Sequence, residues 1–99
     1  MQSNRIGIAW YRPEQWTRLR DISKDKSNLE LSHSEWLKSA EDLLIKLHAE
    51  GFNVVRFEVD VDKLLKWCKD HKRPVTGKTR SQYVTEMLQA EDQQTRSAT

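Results

Sequence analysis

Only two stretches of this chain alternate apolar and other residues with the period of two that a half-buried strand needs, and residues 12–51 lie between them. The first is residues 5–11, with Ile6, Ile8 and Trp10 on one face and Gly7, Ala9 and Tyr11 on the other. The small residues of that second face suit a closely packed neighbour. The second is residues 52–59, with Val55, Phe57 and Val59 on one face and Val54, Arg56 and Glu58 on the other. No tight hairpin can join strands so far apart, so they pair across an intervening pair of helices. Such a connection permits either orientation, and the general excess of antiparallel pairing favours an antiparallel sheet.

The intervening segment reads as two helices. Pro13 suits a first helical turn, where its missing N–H costs nothing, and Trp16, Leu19 and Ile22 recur at helical spacing, which predicts a helix over about 13–22. Residues 23–31 are mostly polar and read as a loop. Ser32 and Glu35 form a capping box, in which each side chain satisfies the other's free backbone N–H. Trp36, Leu37, Ala40, Leu43, Leu44 and Leu47 then make one apolar stripe, and Gly51 provides a left-handed stop. A helix over 33–50 follows.

After the second strand, Asp60 or Asp62 caps a helix over about 62–71, with Leu64, Leu65 and Cys68 inward. The segment from Lys72 to Gly77 breaks it. Thr79 and Gln82 form a further capping box, and Tyr83, Val84, Met87 and Leu88 line a helix over about 80–91. Residues 92–99 are polar, lack periodicity and read as a flexible tail beyond a single compact domain, 1–91. The fold class is therefore α+β in the order β-α-α-β-α-α: a two-stranded sheet, antiparallel by preference, packed against about four helices. Its expected core joins Ile6, Ile8, Trp10, Trp16, Leu37, Ala40, Leu44, Leu47, Val55, Phe57, Leu65 and Leu88.

No run of about 18 apolar residues is present, so no membrane partner is expected. The polar start of the chain lacks the apolar region of a signal peptide, and the single cysteine fits a reducing compartment. A cytoplasmic location is the expectation.

Four short patterns resemble chemical sites, and each has a plainer reading. Thr76-Gly77-Lys78-Thr79 looks like the end of a phosphate-binding loop, but that pattern needs a glycine where Lys72 stands and a preceding strand. Asp60-Val61-Asp62 resembles a magnesium pair, but aspartates at a helix start serve as caps and complement the dipole. Cys68 and His71 stand three apart on one helix, but structural zinc needs about four ligands. His33 and His48, the other candidates, lie roughly 22 Å apart along one helix. A nucleophilic Cys68 would need His71 as base, whereas an apolar setting raises the thiol pKa. No catalytic residue, metal ligand or cofactor is assigned.

Charge supplies the remaining signal. The net charge is +2, yet residues 32–60 carry three basic and six acidic side chains, and residues 61–99 carry eight basic and five acidic. Lys63, Lys66, Lys69 and Arg73 step along the third helix at three- and four-residue intervals and share a face. Lys72, Lys78 and Arg80 could extend that face. Trp10, Tyr11 and Trp16 with Arg12 and Arg18 mix aromatic and basic groups, as single-stranded nucleic-acid sites do. Both tryptophans also match the apolar periodicity of their elements, so they read first as core.

Several of these residues together carry a resemblance. Ile8-Ala9-Trp10-Tyr11-Arg12, then Glu35-Trp36-Leu37, Gly51 before a valine-rich strand, Asp60 and Leu65-Lys66-Trp67-Cys68 resemble a group of small uncharacterised bacterial proteins. The resemblance spans about residues 5–88, implies a bacterial cytoplasmic setting and a compact fold, and transfers no activity. The polar tail after residue 91 departs from it.

The leading functional expectation is a small non-catalytic module that binds a protein partner or regulates one. The alternative is nucleic-acid binding through the basic face of 63–80, with Tyr11, Arg12, Lys63, Lys66, Lys69 and Arg73 as binding residues. The third is a small enzyme whose site the sequence hides. A homodimer through a strand edge is expected as an accessory feature, because a two-stranded sheet leaves two open edges.

Overall fold

A computed structural model describes the backbone of residues 5–97 and the side chains of residues 5–92. The order is β1 (Arg5–Trp10), α1 (Pro13–Ile22), a 3-10 turn (Lys26–Asn28), α2 (His33–Ala49), β2 (Asn53–Glu58), α3 (Val61–Asp70) and α4 (Gly77–Ser97).

The local signals act as their chemistry dictates. Pro13 opens α1 directly after Arg12. The Ser32 hydroxyl accepts from the Glu35 N–H at 3.2 Å and starts α2. Gly51, at φ +92°, takes the left-handed turn that ends it, where a side chain would be strained. Asp60, rather than Asp62, caps α3 by accepting from the N–H groups of Asp62 and Lys63. The last helix starts earlier than its periodicity predicts. Thr76 and Thr79 exchange backbone-to-hydroxyl bonds, so the reciprocal cap sits three residues upstream of the Thr79–Gln82 pair. Gln82 instead accepts from Arg73. α4 also continues past residue 91 to Ser97, and residues 98–99 of the expected tail lie outside the described residues.

The sheet corrects the expected antiparallel orientation. β1 and β2 are parallel, in register from Arg5 opposite Asn53 to Trp10 opposite Glu58. The connection permits either orientation, and the general excess of antiparallel pairing does not decide this case. Only α2 runs along both strands, whereas α1 packs on α2 and α3 near the end of β1. One spanning helix returns the chain to its starting side, and the next strand must then run parallel.

The sheet separates two unequal layers. On one face, Gly7 and Ala9 lie beside Val55 and Phe57 in register and face α4, whose Val84 and Leu88 press onto Gly7. On the other, Trp10 meets Trp36 of α2 edge-on, with ring centroids 5.3 Å apart. The enclosed core runs from the α4 face of the sheet, where Val84 and Leu88 sit, past the strand ends to Tyr11, Trp16, Leu19, Val61, Leu64 and Cys68. Of the expected core, Trp16, Ala40 and Leu88 are buried. Ile8, Trp10, Leu37, Leu44, Leu47, Val55, Phe57 and Leu65 are only half-buried, and Ile6 is exposed. For Ile6, Ile8, Trp10, Leu37, Leu44 and Leu47 the reason is that two strands and one helix are too narrow to enclose the layer between α2 and the sheet.

Candidate functional site

The basic face of α3 is solvated, and one of its three lysines is paired within the helix. Lys63, Lys66 and Lys69 are exposed along α3, and the Lys66 ammonium pairs with Asp70 at 3.1 Å, one turn on. Asp62, in the first turn of the same helix, pairs with Arg18. Arg73 lies beyond the helix end, where Lys72 turns the chain at φ +56°, and donates to Gln82 at 2.6 Å. Arg12 is exposed and forms a two-pronged contact with Glu58, at 3.0 and 3.1 Å. Tyr11, the chain neighbour of Arg12, points the other way, into the core. It is 4% exposed and wedged edge-on against Trp16 and Trp36, so its ring offers no platform for a base. Of the expected nucleic-acid set, the basic side chains are exposed and the one aromatic ring is buried.

The other motifs resolve as structural parts. Cys68 is buried in the core. His71 is exposed beyond it, stacked on Trp67 at 4.2 Å, with its Nδ1 2.8 Å from the Trp67 carbonyl oxygen. No group of three potential metal-ligating side chains forms among the described residues. The Thr76–Thr79 segment is the cap described above, and the carboxylate of Asp25 takes the Gly77 N–H at 3.0 Å. Asp25 also receives both arms of the Arg80 guanidinium, at 2.9 and 3.2 Å. That pairing holds the Asp25 carboxyl below its usual range. Nearby, burial pushes the Tyr11 hydroxyl up to about 12, against a smaller opposing pull from Arg80. A cavity of about 250 Å³ lies there, walled by Tyr11, Trp16, Leu29, Trp36, Arg80 and Val84. Its one strong anion site, the start of α4, is already filled by the chain's own Asp25.

A larger opening lies between α2 and β2. It is a groove of about 600 Å³ lined by Leu44, Ile45, His48, Ala49, Val54, Val55 and Arg56. Around it α2 leaves Leu43 45% and Ile45 67% exposed, and Phe52, at the entry to β2, is 45% exposed. The strand beside the groove has an open edge. The Val59 N–H donates to the Trp10 carbonyl at 2.9 Å, so alternation along the strand turns the amides of Phe57 and Val55 toward β1. The N–H and C=O groups of Val54, Arg56 and Glu58 then point outward. Arg56 covers Trp10, its guanidinium carbon 5.3 Å from the ring centroid. Apolar groove and open edge together meet the two needs of a bound extended chain: backbone partners on one side and pockets for alternate side chains on the other.

The sequence pointed to half of this arrangement. An open strand edge follows from a two-stranded sheet, and the apolar stripe of α2 was plain. Ile45 lies outside that stripe, and its exposure beside Val54 and Arg56 has no periodic signal.

No protein-family model, curated protein or solved structure matches this chain.

Proposed function

We propose that this chain is a non-catalytic protein-binding module that takes an extended segment of a partner against the open edge of β2, with apolar side chains of that segment in the α2–β2 groove. The observation that carries the reading is the coincidence, on one side of the molecule, of an unpaired strand edge and an apolar groove bordered by Leu44, Ile45 and Val54. An edge flanked by exposed apolar groups is a hazard unless a partner covers it. Two-stranded parallel sheets are also poorly protected, because parallel strands ordinarily lie buried on both faces. The bacterial, cytoplasmic setting implied by the sequence resemblance belongs to this proposal as its context. Among the described residues no helix is long and apolar enough to cross a membrane.

Selection from a peptide-display library tests the reading, with Ile45→Asp as the counter-screen. Ile45 is largely exposed, so that variant keeps the fold. Peptides with alternating apolar residues should be retained by the natural chain and lost by Ile45→Asp. Retention of no peptide, or of peptides that bind both proteins equally, overturns the proposal.

A further inference from the structure

The open edge of β2 carries a charge pattern that is complementary to itself when the strand is reversed. Val54, Arg56 and Glu58 turn their backbone groups outward, and all three project side chains to the α2 face. A second β2 laid antiparallel across a two-fold axis normal to the sheet would join these outward groups in one of three registers. Centred on residue 56, it sets Arg56 against the partner's Arg56, a like-charge pair that destabilises a sheet. Centred on residue 55, it sets each Arg56 against an apolar Val54. Centred on residue 57, it sets Arg56 against the partner's Glu58 twice over, with Phe57 opposite the partner's Phe57.

We infer that the occupant of the β2 edge is a second copy of this chain, paired antiparallel with Arg56 opposite the partner's Glu58. This rests on the reading of the edge as a binding surface and names its partner. The inner two strands of the resulting four-stranded sheet are the two copies of β2, paired over Arg56, Phe57 and Glu58, the last three residues of the strand. The two α2 helices fall on the same face of that sheet, one on each side of the axis. Glu58 already receives Arg12, and Arg56 already lies over Trp10. The new contact therefore extends an existing row: Arg12, Glu58 and the partner's Arg56. Isologous pairing of this kind closes at two copies, since one self-complementary strand supplies the whole interface.

Sedimentation velocity across a wide concentration range supplies the test. The natural chain should form dimers. Arg56→Glu alone puts Glu against the partner's Glu58, and Glu58→Arg alone puts Arg against the partner's Arg56. Each variant should therefore be monomeric, with a chemical-denaturation profile confirming that it remains folded. Mixed in equal amounts, the two variants should restore the dimer, because every cross-strand pair then joins opposite charges. The double variant Arg56→Glu/Glu58→Arg should dimerise by itself. A natural chain that stays monomeric at near-millimolar concentration overturns the inference, while the peptide selection above still decides the binding reading by itself. Dimers that survive either single substitution, or a mixture that stays monomeric, overturn the β2 register.

Discussion

Gly7 offers the sharpest test of how α4 is seated. A Cβ added there would lie 2.7 Å from the Val84 Cγ1 and closer still to the Leu88 Cδ1. Real carbon contacts settle near 3.5–4.0 Å. Both neighbours are buried, at 2% and 5% exposure, so neither can swing into water. Either α4 shifts from the sheet by a good part of an ångström or the two side chains leave their rotamers. Overpacking of this kind costs about 1–3 kcal/mol. Alanine restricts the unfolded chain more than glycine does, which offsets about 0.4–1 kcal/mol of that cost. Taking the middle of each range, Gly7→Ala should destabilise by about 1.3 kcal/mol, and at about 4–8 °C per kcal/mol for a domain of this size the melting temperature should drop by about 5–10 °C. Urea titration gives the same quantity from the midpoint at constant slope. Leu88→Ala opens space at the same spot, so combined with Gly7→Ala it should cost less than the sum of the single changes. A Gly7→Ala protein as stable as the natural one, or strictly additive effects in the double variant, would refute the close seating of α4.

Four further outcomes follow from the same packing. Leu64→Ala, in the enclosed core, should cost about 2–5 kcal/mol by denaturant titration, whereas Leu44→Ala, half-buried on the open α2 layer, should cost distinctly less. Cys68 should react slowly with a thiol reagent in the folded protein and rapidly in denaturant, because only unfolding or local opening exposes it. Asp25→Asn weakens the Arg80 contacts and the Gly77 cap, and should cost about 1.5–3 kcal/mol. Since pairing lowers the Asp25 carboxyl, its stabilisation is present above the ordinary carboxylate range and should fade as pH falls through the lowered folded value. Tyr11 has the opposite sign: its hydroxyl is raised from 10.0 to about 12, so the stability tied to the protonated ring is complete below pH 10 and lost between 10 and 12. Removing only the hydroxyl, in Tyr11→Phe, should flatten that alkaline loss.

Local chemistry was legible residue by residue, and the global arrangement was not. Ser32, Gly51 and Pro13 act through their immediate backbone neighbours, so the ends of α1 and α2 could be read from sequence. Gly7 and Ala9 announced a close neighbour on their face, and α4 is that neighbour. The start of α4 was misplaced because Thr79 fits two capping boxes equally well. The bond from Gly77 to Asp25, 52 residues earlier in the chain, is a tertiary contact at the true start, and local spacing cannot reveal it. Strand orientation failed for a related reason. It depends on whether α1 spans the sheet or sits beside it, and an amphipathic stripe reports that a helix is covered on one side without reporting by what.

The core was misread by the same logic, and the misreading locates the open groove. Periodicity assigns Leu44, Leu47 and Ile8 an inward face, and in this fold that face is directed between α2 and the sheet. One helix is about 10 Å across with its side chains, and two paired strands span about 5 Å between their axes. Such a layer is open along both sides. On the β1 side, α1 and the 23–31 segment close around Tyr11 and Trp36, with the Trp16 indole N–H anchored to the Glu30 carbonyl at 3.2 Å. On the β2 side, the groove lined by Ile45 and Val54 remains open. The chain thus spends its irregular segment sealing one edge and leaves the other with unpaired backbone, apolar walls and the charges of Arg56 and Glu58. A surface left over by accident would need only the apolar walls. The alternation of Arg56, Phe57 and Glu58, with the charged pair on the α2 face and the ring on the α4 face, gives that edge a preferred direction and register for the strand that covers it.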